Sequence, residues 1–108
     1  MRVYISGKIT DVPVRRYLLR FARAEQMLRA EGHEVINPAA IGLNLPMSFT
    51  HRDYMDVDIM LLDKCDAIFM LNNWEDSAGA QQEHEYAEQK GLDIIYENEQ
   101  IQSEEDRC

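Results

Sequence analysis

Two carboxylates fall where a folded chain would have to bury them. Glu83 lies in Ser77-Ala78-Gly79-Ala80-Gln81-Gln82-Glu83-His84-Glu85-Tyr86-Ala87, after an apolar run, Ala67-Ile68-Phe69-Met70-Leu71, and a polar turn over 72–76. The run reads as a buried strand and the segment as a helix. On that helix Glu83 shares a stripe with Ala80, Ala87 and Gly91, in steps of three, four and four. That stripe should face the sheet. Asp58 repeats the pattern on an earlier helix, three residues after Met55 and four before Leu62. A carboxylate on a core-facing stripe costs free energy unless it is paired or used. Paired acids of unequal environment are the types needed for a nucleophile and a proton carrier. The plain alternatives are a Glu83 that reaches solvent at the sheet edge and an Asp58 that is capped or salt-bridged.

Two further segments join these acids. Ser77 or Asp76 is placed to cap the Glu83 helix, because a short side-chain oxygen accepts from orphan N–H groups of the first turn. The same N–H groups suit an anion or a sugar hydroxyl. Ser6-Gly7-Lys8 follows the first strand, at the carboxyl end where open α/β sheets bind ligands. Gly7 permits a positive φ or a close backbone approach, and Lys8 offers a charge to an anion. Lys8 equally suits a solvated turn, and Ser77 a simple cap.

The elements that must position these groups alternate. Val3-Tyr4-Ile5 is a short strand. Asp11 and Pro13 open a helix that runs to about Ala30, with Val14, Leu18, Phe21, Met27 and Leu28 on its apolar side and Arg15, Arg16, Arg20, Arg23 and Arg29 in solvent. Gly32 ends it. Glu34-Val35-Ile36 is the second strand, and 38–49 reads as an aperiodic binding loop or lid. Thr50-His51-Arg52-Asp53 resembles a capping box that opens a helix to about Asp63. Strand 66–71, helix 78–90 and strand 92–96 complete the domain. This β-α-β-α-β-α-β order predicts an α/β fold: a small open parallel sheet of four to five strands with helices on both faces, flavodoxin- or Rossmann-like, in strand order 2-1-3-4. Residues 97–108 read as an acidic, mobile tail.

Bulk properties exclude several classes. A chain of 108 residues is one domain that needs no staple. A net charge of −9 argues against a nucleic-acid polymer as partner. Cys65 and Cys108 read as reduced thiols in a cytoplasmic protein, Cys65 as a small core residue. No apolar run approaches membrane-spanning length, and no signal peptide precedes the first strand. His33, His51 and His84 have no ligand-like spacing, so no metal is expected.

Taken together, Tyr4-Ile5-Ser6-Gly7, Asp58 eight residues before Asp66, and Ser77-x-Gly79-x-x-x-Glu83-x-x-x-Ala87 resemble the nucleoside 2-deoxyribosyltransferase superfamily from Val3 to about Tyr96. The likeness extends to its deoxynucleoside 5′-monophosphate N-glycosidases, and most closely to a short-chain bacterial and phage family of unknown function. The resemblance implies that Glu83 is a nucleophile attacking the anomeric carbon, that Asp58 binds the sugar and handles protons, and that Tyr4 orients Glu83. Ser6, Gly7, Lys8, Ser77 and Gly79 would hold sugar or phosphate. It implies no cofactor, a nucleoside or nucleotide as small-molecule partner, and a homo-oligomer, for which Tyr17, Tyr54 and the 38–49 segment are the candidate surfaces. Serine at 77, where the transferases tend to carry an acid, leans towards a monophosphate and towards water as acceptor. His84-Glu85 replaces the usual Leu-Gly. The alternative is a non-catalytic nucleotide-binding or regulatory module on the same fold.

Overall fold

The computed structural model describes residues 1–97. Its elements are β1 (Arg2–Ser6), α1 (Val14–Ala30), β2 (Glu34–Ile36), α2 (Pro38–Gly42), α3 (His51–Leu62), β3 (Ala67–Met70), a 3-10 turn (Trp74–Asp76), α4 (Ala78–Lys90) and β4 (Asp93–Tyr96). The four strands form one parallel sheet in the order β2-β1-β3-β4. This is the Rossmann-like α/β architecture and the strand order that the sequence predicts.

Strand alternation divides the core in two. Val3, Ile5 and Phe69 point to one face, where Phe21, Ala24 and Leu28 of α1 and Ala39 of α2 cover them. Tyr4, Ile68 and Met70 point to the other, against Leu62 of α3 and Ala80 and Ala87 of α4. Burying each large apolar side chain contributes about 1.5–3 kcal/mol, so the two layers rather than helix propensity hold the elements in place. Because side chains alternate along a strand, Tyr4 and Ser6 emerge on the same face, towards α4.

Local signals explain most helix boundaries. Thr50 Oγ1 accepts from the Asp53 N–H at 3.1 Å and Asp53 Oδ2 accepts from the Thr50 N–H at 2.8 Å, a complete capping box on α3. Gly32, at φ 95°, closes α1: its N–H donates to Arg29 O and the His33 N–H to Leu28 O, satisfying carbonyls that the helix leaves open.

Several expectations are corrected. Residues 38–49 are not wholly irregular: Asn37 caps the short α2 through Ala40 N–H, with Pro38 at its start. Asp11 does not cap α1 but sits in the left-handed region at φ 64°. Val14 is exposed rather than apolar core. Gly91 leaves the sheet-facing stripe and ends α4 at φ 72°. Arg20 is not simply solvated: it donates to Asn72 Oδ1 and pairs with Glu97 at 3.3 Å. Glu97 also accepts from the Asn72 N–H at 2.9 Å, so this residue is part of the fold rather than of a tail. The rest of the expected tail, and Cys108, lie outside the described residues. Cys65 is buried, and burial pushes its thiol up to about 11, which keeps it unreactive. Among the described residues no helix is long and apolar enough to cross a membrane.

Candidate functional site

The carboxyl ends of β1 and β3 lie side by side, and a cavity of about 880 Å³ opens above them. Its size falls within the roughly 300–1,000 Å³ typical of small-molecule sites. Glu83 and Tyr4 line it from one side of the sheet. Asp58 enters from α3, Tyr17 and Phe21 from α1, and Lys8 from the loop after β1.

Glu83 is 5% exposed and fully hydrogen-bonded. Tyr4 Oη donates to its Oε2 at 2.5 Å, and Ser6 Oγ donates to its Oε1 at 2.6 Å. The alternation of β1 produces this clamp, since residues two apart share a face. Burial raises the Glu83 carboxyl from 4.5 to about 8; the hydroxyls of Ser6 and Tyr4 pull it back, and nearby Asp58 pushes it up. Burial alone raises Asp58 from 3.8 to about 6. Tyr4, buried beside Glu83, is raised well above the usual phenol range, so it stays a donor. Burial thus favours the neutral form of both acids, more strongly at Glu83 than at Asp58. Burial outweighs the hydrogen bonds at Glu83, which reverses the order a nucleophile and an acid partner need.

The expected binding residues divide into groups. Lys8, Gly7, Ser77 and Gly79 all line the cavity. Ser6 does not; it is 1% exposed and acts on Glu83 from below. Gly7 has no positive φ. Its need is close approach, because a Cβ there would stand 2.6 Å from Leu71 Cδ1 and 2.9 Å from Leu71 Cβ. Ser77 Oγ caps α4 by accepting from Ala80 N–H at 3.1 Å. Its hydroxyl proton stays available to a ligand.

Sequence reasoning missed part of the wall. Tyr17 and Tyr54, read as outer surface, line the cavity together with Phe21 and Met55. So do two exposed acids, Asp11 and Asp76. For the two tyrosines the residue type carried no signal of this, because each lies half-buried at a boundary between helix faces. Asp76 carried one, as a candidate cap beside Ser77; Asp11, read only as opening the first helix, carried none. The replaced Leu-Gly pair has its own structure. His84 stacks on Trp74 with ring centroids 4.3 Å apart, approaches Tyr96 Oη at 2.6 Å and pairs with Glu88 at 3.3 Å. It thus fills the gap between α4 and β4, while Glu85 is exposed.

Among the described residues no group of three or more His, Cys, Asp or Glu side chains could hold a metal ion. Comparison with curated proteins gives no match. A family model covers residues 1–96, and the chain accordingly belongs to the family described as "Domain of unknown function (DUF4406)".

Proposed function

We propose that this protein cleaves the N-glycosidic bond of a nucleoside or nucleoside 5′-monophosphate, or transfers its deoxyribosyl group, as its resemblance to the nucleoside 2-deoxyribosyltransferases implies. One observation carries the reading: a buried carboxyl, Glu83, clamped by two hydroxyls at the floor of a ligand-sized cavity beside Asp58. A buried acid that solvent cannot stabilise is costly, and catalysis is one use that repays it.

In this reading the Glu83 carboxylate attacks the anomeric carbon. A C–O bond forms, the C–N bond breaks, and its electron pair leaves with the base, which takes up the proton that Glu83 gives up, passed on by Asp58. Positive charge building on the sugar ring favours the ionised form of Glu83 and offsets its high pKa at the moment of attack. Tyr4 and Ser6 hold the attacking oxygens. Asp58 accepts from a sugar hydroxyl and handles protons. Water or a second base then displaces the sugar from the ester. Lys8, Gly7, Ser77 and Gly79 border the sugar end. The same resemblance makes the protein a homo-oligomer, and a monomer by light scattering at assay concentration removes that part.

The test is chromatographic base release from a panel of ribo- and deoxynucleosides and their 5′-monophosphates, with and without a second free base. Release abolished by Glu83→Gln supports the reading; release unaffected by it ends it. One observation favours a second reading, a non-catalytic nucleotide-binding module: Glu83 is buried, and burial favours its neutral form over the carboxylate that attack requires. That reading predicts binding without turnover, undiminished in Glu83→Gln.

A further inference from the structure

Two features of the cavity would draw a phosphate: Lys8 and the N-terminus of α4. Each has a carboxylate of the same cavity close by in the chain. Asp11 lies three residues after Lys8, in a turn closed by the Val12 N–H donating to Ile9 O at 3.1 Å. Asp76 lies immediately before the capping Ser77, held by its own N–H donating to Asn73 O at 3.2 Å. Asp58 and Glu83 complete the acidic set. Lys8 is the one lysine or arginine among the described lining residues, and His51 is the other group there able to carry positive charge.

A phosphate monoester carries about −1.5 to −2 charge at neutral pH. Placed against the first turn of α4, it would meet the field of Asp76 as well as the free N–H groups of Ala78 and Gly79. Placed against Lys8, it would meet Asp11. The chain's net charge of −9 adds repulsion during entry. A sugar hydroxyl faces the opposite balance. It donates to a carboxylate, and such charge-assisted hydrogen bonds are among the strong ones.

We propose that this cavity selects the unphosphorylated nucleoside and rejects its 5′-monophosphate, with Asp11 and Asp76 as the discriminating residues. The inference rests on the N-glycosidic reading for its ligand class, and it reverses the lean towards a nucleotide that Ser77 alone suggests.

The experiment measures kcat/KM for base release from matched nucleoside and 5′-monophosphate pairs at low and high salt, and the melting temperature with each compound. The expected result is a preference of at least tenfold for the nucleoside. That preference should shrink with added salt and in Asp76→Asn and Asp11→Asn. Both acids are exposed, and asparagine tolerates the left-handed backbone at position 11, so both variants should fold. Equal or faster cleavage of the monophosphate overturns the proposal while leaving the N-glycosidic reading intact. So does a preference that neither variant changes. If no base is released from any compound, the N-glycosidic reading fails, and melting decides the charge rule. A rise with nucleoside alone upholds it; a rise with monophosphate, or with neither, overturns it.

Discussion

Glu83 stands between opposing forces, of which burial is the larger. Burial favours its neutral form, and two hydroxyl donors favour its ionised form. A hydrogen bond to a charged group contributes about 1.5–3 kcal/mol, or about one to two pH units in a titration midpoint. Tyr4→Phe and Ser6→Ala each remove one donor with little change in volume. Each should therefore move the Glu83 titration upward by about that amount, read by carboxyl carbon NMR. Asp58→Asn removes a repulsive neighbour and should move it downward. A titration unchanged in all three variants would mean that the carboxyl feels neither the hydroxyls nor Asp58. Glu83 was legible because an acid on a sheet-facing stripe is unusual enough to single out; Tyr4 was named only through the family resemblance. The role of Ser6 was not. Its place in Ser-Gly-Lys suggested contact with ligand, and only the register of β1 shows that it points at Glu83 instead.

At the scale of elements, two close fits hold the site open. β1 hands over to its loop at Gly7, where the Leu71 side chain packs against the bare Cα. Gly7→Ala would drive a methyl into Leu71 Cβ and Cδ1, and the Cβ cannot swing away. The expected cost is about 1–3 kcal/mol in denaturant unfolding, as for other overpacked sites. Ser77→Ala removes the α4 cap and should cost about 1 kcal/mol. If Ser77→Ala proves neutral, the hydroxyl is not the cap that its distance to Ala80 N–H indicates. The caps of α3 and α4 were readable because their residue types act locally. The short α2 was not. Five residues give no hydrophobic period, and the packing of Pro38 and Ala39 against the core decides the matter. The Asn37-Pro38 pair that follows β2 is also the start of this helix.

For the whole molecule, topology was legible and the cavity wall was not. Four apolar runs separated by helical patterns leave few arrangements of a parallel sheet, and the expected order 2-1-3-4 is the one found. Which side chains meet above the sheet depends on how α1, α3 and the 38–49 segment lean together. No local period records that, so Tyr17, Tyr54, Asp11 and Asp76 were misplaced or passed over. The assembled site leaves a mark on global stability. The folded Glu83 binds its proton more tightly than the unfolded chain, with midpoints of about 8 and 4.5. Between those values the native state holds more protons, so stability falls as pH rises. The contribution is complete below about pH 4.5 and is lost as pH climbs through 8. Asp58, raised to about 6, acts in the same direction. Over this window the Glu83 share amounts to roughly 3–5 kcal/mol. Self-repulsion of an acidic chain also weakens it towards alkaline pH, so the comparison must be with Glu83→Gln, which keeps the shape and removes the titration. Urea unfolding from pH 5 to 9 should show the unmodified protein losing stability faster than the variant. The gap should grow up to about pH 8 and level off above it. Parallel curves would mean that Glu83 titrates alike folded and unfolded, and that the buried carboxyl at the centre of the site is not held as its two hydroxyl partners and its burial require.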